Sequence, residues 1–144
     1  MTLTTIVCPI DFSAATERLV AYATALAVST GAELRLLHVL EPQPLLPSSA
    51  ISDLSIAAQL AHHHAVATQA GARVSTSIVH GEAATEIVAE AQRQAADMIV
   101  IGAHGQTGLT RFLMGNTAEV VVRTAPCATL LMKCRFNDAL RKSA

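Results

Sequence analysis

The sequence predicts an α/β domain in which one five-stranded parallel sheet carries helices on both faces, the doubly wound arrangement. Short apolar runs suited to strands alternate with segments whose apolar residues repeat at helical spacing, five runs against four segments. Glycines and prolines separate most of these segments. Residues 98–101 are apolar throughout, which is typical of a strand buried on both faces in the middle of a parallel sheet. The 144 residues fit a single domain.

The first strand and helix occupy the beginning of the chain. Residues 6–10 form a short apolar run that contains Pro9. Because proline removes a hydrogen bond of the sheet, Pro9 marks the carboxyl end of this strand. Asp11 follows that end, Ser13 is expected to cap the first helix, and Gly31 is expected to end it.

A second strand and helix follow. Residues 34–40 are mostly apolar and predict a strand that is largely covered. Residues 41–49 contain three prolines, which do not suit a helix interior, so this segment is a loop. A helix is predicted over residues 53–70, and Gly71 ends it.

The rest of the chain supplies three strands and two helices. Residues 74–79 alternate loosely between apolar and polar side chains, which favours an exposed strand at an edge of the sheet. A third helix opens after Gly81 and leads to the central strand at residues 98–101. A fourth helix is predicted over residues 116–124 and a last strand over residues 127–133.

A ligand site is expected beyond the carboxyl ends of the strands, where the strand order reverses. If the first and fourth strands are neighbours there, Asp11 and the loop after Ile101 face one crevice. That loop contains Gly102, Gly105 and Gly115 and runs into the fourth helix. Glycine lets the backbone approach a ligand, and a helix N-terminus offers unpaired N–H groups, so the loop suits a phosphate. The alternative is a tight strand-to-helix connection that needs glycine for its backbone alone.

The sequence resembles the universal stress protein family over nearly its whole length. The matching segments are Pro9-Ile10-Asp11-Phe12-Ser13, Leu36-Leu37-His38-Val39, Gly81-Glu82-Ala83, Gly102-Ala103-His104-Gly105 with Gly115, and Ala125-Pro126-Cys127. The resemblance implies a single doubly wound domain, adenine nucleotide alpha hydrolase-like, over residues 1–134. It also implies a homodimer formed through the last strand, residues 128–133, and leaves residues 135–144 as a short basic tail.

The nucleotide-binding branch of this family holds ATP with the pattern Gly-x2-Gly-x9-Gly followed by Ser or Thr. The resemblance therefore implies ATP, ADP or AMP as the ligand, with Mg²⁺ held by the phosphates. In that branch an Asp like Asp11 contacts the ribose and a backbone position like Val39 meets the adenine. The candidate nucleotide-binding residues are Pro9, Asp11, Val39, Gly102, His104, Gly105, Arg111, Gly115, Asn116 and Thr117.

Three of these candidates also have a simpler interpretation. Asn116, with Glu119 three residues later, resembles a capping box, so its simpler role is to cap the fourth helix. It stands where the family has Ser or Thr; its amide donates hydrogen bonds too, and Thr117 offers a hydroxyl one residue later. His104 fits a loop histidine bonded to the backbone better than a catalytic group, because no partner carboxylate or nucleophile lies near it in sequence. Arg111 reaches either the phosphates or only water.

The function expected from the resemblance is a stress-responsive regulatory or sensing homodimer of the cytoplasm that binds adenine nucleotide. Bound nucleotide is expected to change the surface offered to an unidentified protein partner. One alternative is a dimeric stress protein that binds no nucleotide. Another is a slow ATPase or nucleotidyl transferase. The sequence has no Walker Gly-Lys-Ser/Thr motif, no Ser-Gly-Gly pyrophosphatase loop and no clustered carboxylates for magnesium, so at most weak ATP hydrolysis and no catalytic residue are expected.

Composition argues against nucleic-acid and membrane partners. The net charge is −1, and the chain has no Trp, one Tyr and three Phe, so neither electrostatic attraction nor stacking favours nucleic acid. No apolar run is long enough to span a bilayer, and the first residues lack a basic region before an apolar one. Cys8, Cys127 and Cys134 are scattered without CxxC spacing, which fits reduced thiols, with Cys8 packing as a small hydrophobic residue.

The run His62-His63-His64 suggests a metal site only at first sight. Consecutive residues of a helix point about 100° apart, so the three imidazoles do not converge on one ion. His38 lies within a predicted strand and is expected to be a partly buried histidine with a satisfied hydrogen bond.

Overall fold

The computed structural model describes residues 2–42, 50–103 and 116–133, with the backbone alone at residues 50–53. Within these ranges strands and helices alternate as predicted. The elements are β1 Thr5–Pro9, α1 Thr16–Thr30, β2 Glu33–Leu40, α2 Ala50–Gln69, β3 Arg73–His80, α3 Ala83–Arg93, β4 Met98–Gly102, α4 Asn116–Thr124 and β5 Ala128–Met132.

The described strands form one parallel sheet in the order β3-β2-β1-β4-β5. The chain proceeds outward from β1 to β3 and then crosses to the other side of β1 with β4. The direction of strand order therefore reverses between β1 and β4, which confirms the doubly wound fold. Edge strand β3 alternates between exposed and half-buried residues along much of its length, as predicted for an edge.

Two apolar layers cover the faces of the sheet. Cys8 and Leu36 point to the face packed by α1 and α2, whereas Val7 and Leu37 point to the face packed by α3 and α4. Three consecutive residues of β1, Ile6, Val7 and Cys8, are fully buried. Each large aliphatic side chain buried in this way stabilises the fold by about 1.5–3 kcal/mol.

Helix α1 differs from the prediction at its start and agrees with it at its end. The helix begins at Thr16, its N-cap is Ala15, and no side chain caps it, so the expectation that Ser13 caps α1 is wrong. The backbone carbonyl of Ser13 accepts the N–H of Thr16 at 3.0 Å instead. Gly31 ends the helix with φ 76°, in the left-handed region that favours glycine.

The amino ends of the two central strands are joined by Asp97. Its Oδ2 accepts the backbone N–H of Thr4 at 2.7 Å, the hydroxyl of Thr4 at 2.7 Å and the N–H of Thr5 at 3.1 Å. The backbone and then the side-chain hydrogen bond of Thr4, followed by that of Thr5, lower the pKa of this carboxyl. The carboxylate therefore joins the entrance of β4 to the start of β1.

None of the helices in the described ranges is both long and apolar enough to cross a membrane.

Helix α2 begins at Ala50 and ends at Gln69, so its start lies three residues before the predicted one at Asp53.

Candidate functional site

The carboxyl ends of β1 and β4 lie side by side at the point where the strand order reverses. Ile6 pairs with Met98 and Val7 with Ile99, so Pro9 and the last residues of β4 reach the same edge of the sheet. Pro9 is the last residue of β1 and Gly102 the last residue of β4. The predicted crevice between the Asp11 loop and the segment after β4 thus begins between two adjacent strands.

Asp11 organises the loop between β1 and α1. Its Oδ1 accepts the backbone N–H of Ser13 at 3.0 Å and the hydroxyl of Thr16 at 3.4 Å. The carboxylate is half-buried at the carboxyl edge of the sheet. Asp11 therefore has a structural role at the entrance of α1, in the position where a ligand contact was also expected.

Phe12 lies between Asp11 and Ser13 and was not singled out by the sequence analysis. Its φ is 59°, a left-handed conformation that costs a non-glycine residue about 1–2 kcal/mol. Its ring centroid lies 4.6 Å from that of His38 and 6.2 Å from that of His63. This conformation could not be predicted from the neighbouring residues in sequence, because the rings that contact Phe12 come from β2 and α2.

His38 connects β2 to the same loop. Its Nδ1 lies 2.8 Å from the carbonyl oxygen of Ile10, and the side chain is buried. Because a carbonyl only accepts, Nδ1 carries the proton of this bond. The expectation of a satisfied histidine is confirmed, and the bond ties β2 to the residue that precedes Asp11.

Val39 lies near the end of β2, just after the two residues that bond to Ile10, Leu37 and His38. The N–H of Ile10 donates to the carbonyl of Leu37 at 2.8 Å, and Val39 is two residues further along β2. Its half-buried side chain packs on the face covered by α3 and α4. Val39 thus shares the carboxyl edge of the sheet with Pro9, Asp11 and Gly102.

Gly102 is a glycine that the described fold does not require. Its φ lies outside the left-handed region, and an added Cβ would meet only the Cδ2 of Leu19 at 3.9 Å, an ordinary van der Waals contact. The backbone and the described packing would therefore accept alanine at this position. The next residue, Ala103, donates its N–H to the carbonyl of Met132 at 2.9 Å, which keeps the chain beside β5.

The rest of the predicted phosphate loop lies outside the described residues, with His104, Gly105, Arg111 and Gly115 among them. Asn116 and Thr117 are the first two residues of α4, where Asn116 is exposed and Thr117 half-buried. Helix α4 spans nine residues, and its first turn presents backbone N–H groups without intrahelical partners. An anion near these groups would also meet the positive end of the helix dipole.

A groove of about 420 Å³ lies between the start of α1 and α2. Its lining includes Phe12, Ser13, Thr16, Glu17, Gln59, His62 and His63. Of the three consecutive histidines, His62 is exposed, His63 buried and His64 half-buried. Over the described ranges, no group of three or more His, Cys, Asp or Glu side chains is arranged to hold a metal ion.

The two cysteines among the described residues are not activated thiols. Burial raises the pKa of Cys8 to about 12, which confirms that it packs as a small hydrophobic residue. Burial, and then the charge of Asp97, raise the pKa of the Cys127 thiol. Both thiols are therefore protonated at neutral pH and poor nucleophiles.

Comparisons with known proteins agree with the fold and identify the family. The profile of the universal stress protein family matches residues 2–133. A universal stress protein of Methanocaldococcus jannaschii is 30% identical over 137 residues, which cover 89% of this chain and 81% of the relative. One from Thermus aquaticus is 29% identical over 134 residues, 90% of this chain and 98% of that protein.

Two solved structures share the fold at lower identity. A universal stress protein in complex with cAMP has a TM-score of 0.76 at 24% identity, over 92% of this chain and 98% of its own. A universal stress protein from Archaeoglobus fulgidus in complex with dAMP has a TM-score of 0.74 at 23% identity, over 92% of this chain and 100% of its own. With the family profile spanning almost the entire chain, this protein belongs to the universal stress protein family.

Proposed function

We propose that this protein binds an adenine nucleotide in the crevice between the carboxyl ends of β1 and β4, and that it acts as a stress-responsive regulatory homodimer. Gly102 is the observation that carries the proposal. Neither its φ nor the described packing around it requires glycine. A ligand phosphate that approaches the backbone closely gives a reason for the missing Cβ.

The relatives support the same class of ligand. One structure with this fold holds cAMP and another holds dAMP, and both ligands consist of adenine, a sugar and one phosphate. By analogy, the adenine would lie near Val39, the sugar near Pro9 and Asp11, and the phosphates near Gly102 and the start of α4. ATP, with Mg²⁺ held by its phosphates, is the proposed form of the ligand.

The phosphate end of the site is assigned by sequence pattern and by its position before α4. By the family pattern, backbone and side-chain donors would come from Gly105, Gly115, Asn116 and Thr117, and two further candidate donors are His104 and Arg111. Asn116 is exposed in the first turn of α4, so its amide is available to an anion there. The proposal assigns no catalytic residue to this site.

The homodimer is proposed to form through β5. This strand is an edge of the sheet, and four of its five residues are half-buried. An open edge with half-buried apolar side chains suits pairing with a second copy, which would cover both its backbone and its side chains. We also propose that the protein is cytoplasmic and that it has a protein partner whose binding depends on whether nucleotide is bound.

The test is to compare nucleotide binding by Gly102→Ala and by the unchanged protein. Nucleotide released on denaturation is identified by mass spectrometry, and the nucleotide-free protein is titrated calorimetrically with ATP, ADP and AMP in the presence of Mg²⁺. We expect the substitution to preserve the thermal unfolding midpoint, because its Cβ makes an ordinary contact, and to weaken binding at least tenfold. Absence of binding by the unchanged protein, or equal binding by both, would contradict the proposed site.

A further inference from the structure

Two histidine rings lie beside the ring of Phe12, whose backbone is left-handed. The ring centroid of His38 of β2 is 4.6 Å from that of Phe12, and His63 of α2 lies at 6.2 Å and only 13° from parallel. We propose that the charge on the His63 imidazole sets the conformation of the loop that carries Asp11 and thereby makes nucleotide affinity depend on pH. The inference concerns the regulation of the nucleotide site and, for its binding half, rests on the proposed function.

The ring of His38 is fixed by a hydrogen bond. Its Nδ1 donates to the carbonyl of Ile10 at 2.8 Å, and the side chain is buried. Ile10 also donates its N–H to the carbonyl of Leu37 at 2.8 Å. The residue that precedes Asp11 is therefore anchored to β2, and Phe12 lies between this anchor and α1.

His63 contacts Phe12 from α2, and a change in the charge of its imidazole would alter this contact. The side chain of His63 is only 7% exposed and packs almost parallel to the Phe12 ring. A neutral imidazole suits this position, whereas an imidazolium would lose most of its hydration against an apolar ring. The open groove beside it gives the ring room to turn towards water.

The charged and titratable groups around His63 favour its neutral form on balance. Burial and the neighbouring His62, whose ring centroid is 5.3 Å away, lower the pKa of His63, while Glu17 of α1 raises it. The net shift is downward. Two further titratable groups lie close to Phe12: His38 of β2, whose ring contacts it, and Asp11, the residue before it.

The sign of the effect follows from the lowered pKa. The folded arrangement binds a proton less readily than a free imidazole, so it is stable above about pH 6.5, the ordinary histidine value. As the pH falls below that value, protonation of His63 favours its departure from Phe12. The stack weakens on the acidic side and is intact on the basic side.

Phe12 transmits this change to Asp11 because a hydrogen bond spans it. The Oδ1 of Asp11 accepts the N–H of Ser13, so the residue between them closes the turn. If Phe12 leaves the left-handed region, the Ser13 amide turns away and the Asp11 carboxylate loses one of the hydrogen bonds that orient it. A sugar hydroxyl bound by that carboxylate would then be held less tightly.

The experiment has two readouts, measured from pH 8 to pH 5.5. NMR titration follows the imidazole of His63 and the amide of Ser13 without nucleotide, and calorimetry measures ATP affinity. His63→Phe keeps an aromatic ring against Phe12 without a titrating group, and His63→Gln is a second variant that does not depend on how phenylalanine packs. His64→Gln is the matched control, because it removes a half-buried histidine from the next position of the same helix.

In the unchanged protein and in His64→Gln, we expect the Ser13 amide to titrate with His63, and ATP affinity to fall by up to about tenfold per pH unit below the pKa of that imidazole. In His63→Phe and His63→Gln both dependences should flatten. Phosphate ionisation affects all four proteins alike, so it cancels in the ratios. Identical pH profiles with and without His63 would overturn the inference.

The two proposals fail in different ways. If ATP does not bind at pH 8, the proposed function fails, and the Ser13 amide still decides whether His63 controls the loop. If ATP binds at pH 8 with the same pH dependence in every variant, the nucleotide site stands and the regulation by His63 falls.

Discussion

The two ends of the sheet each carry an aspartate between the central strands, and the two carboxylates have different roles. At the amino end, Asp97 accepts three hydrogen bonds from Thr4 and Thr5, all through Oδ2, and closes the join between β1 and β4. At the carboxyl end, Asp11 holds the loop after β1, and Gly102 at the end of β4 has described surroundings that would accept a Cβ. The aspartate at the amino end holds the strands together, whereas the one at the carboxyl end lies where we propose that the ligand binds.

The largest difference between the ends should appear in nucleotide affinity. Asp11→Ala removes a carboxylate that would accept a sugar hydroxyl, and hydrogen bonds to charged groups are worth about 1.5–3 kcal/mol, so affinity should fall about 10- to 100-fold. Calorimetric titration with ATP measures the loss. Asp97→Ala is the matched control, because it removes the same group at the opposite end. An equal loss in both variants would mean that affinity follows general stability and not the site.

Alanine substitutions at two glycines should differ in their effect on the free energy of unfolding. Gly31 has φ 76°, so Gly31→Ala should lower the free energy of unfolding by about 1–2 kcal/mol. Gly102→Ala should change it by less than about 0.5 kcal/mol, because its Cβ is tolerated. Urea unfolding followed by circular dichroism compares the two variants. A Gly102→Ala variant as unstable as Gly31→Ala would show that Gly102 serves the fold.

Acid should act on the amino end through Asp97. The pKa of this carboxyl is lowered in the folded protein, so its contribution to stability is complete above about pH 4 and is lost as the pH falls through the folded value. Asp97→Asn should reduce stability at neutral pH and flatten its decline on acidification. Thermal midpoints measured between pH 7 and pH 2.5 test this. A decline as steep as in the unchanged protein would remove Asp97 from the account of acid sensitivity.

The smallest effect is expected from a hydroxyl that supports Asp11. Thr16→Val removes a donor at 3.4 Å from Asp11, a long hydrogen bond, and should weaken ATP binding only about two- to threefold. Thr24→Val is the control, since the hydroxyl of Thr24 donates to the carbonyl of Val20 at 2.6 Å within the same helix. Its loss should lower stability and leave affinity unchanged. A larger loss of ATP affinity in Thr24→Val than in Thr16→Val would show that Thr16 does not support the nucleotide site.

Much of the fold could be predicted because its signals are local. The alternation of strand and helix patterns, Gly31 at the end of α1 and the mixed polarity of β3 all depend on neighbours in sequence. The placement of Asp11 and Gly102 at one edge followed from a topology rule that applies to every doubly wound sheet.

The start of α1 could not be predicted because its cause is tertiary. Serine is a residue type that often caps helices. Here the left-handed Phe12 before Ser13 turns the chain so that the Ser13 amide faces Asp11 instead. The ring of Phe12 contacts His38 and His63, which come from elements about 25 and 50 residues further along the chain. A run of three histidines likewise gave no indication that its middle member would be buried.

The buried thiol of Cys8 provides a reporter for the opening of the central strand. A reagent that alkylates thiols needs a thiolate in contact with solvent, and Cys8 is fully buried with a pKa of about 12. In a chain that carries Cys127→Ser and Cys134→Ser, the labelling rate would therefore count the excursions in which β1 separates from its neighbours. Nucleotide that binds between β1 and β4 should lower the rate at which Cys8 is labelled. Chemical labelling can therefore report occupancy of the site without any signal from the ligand itself.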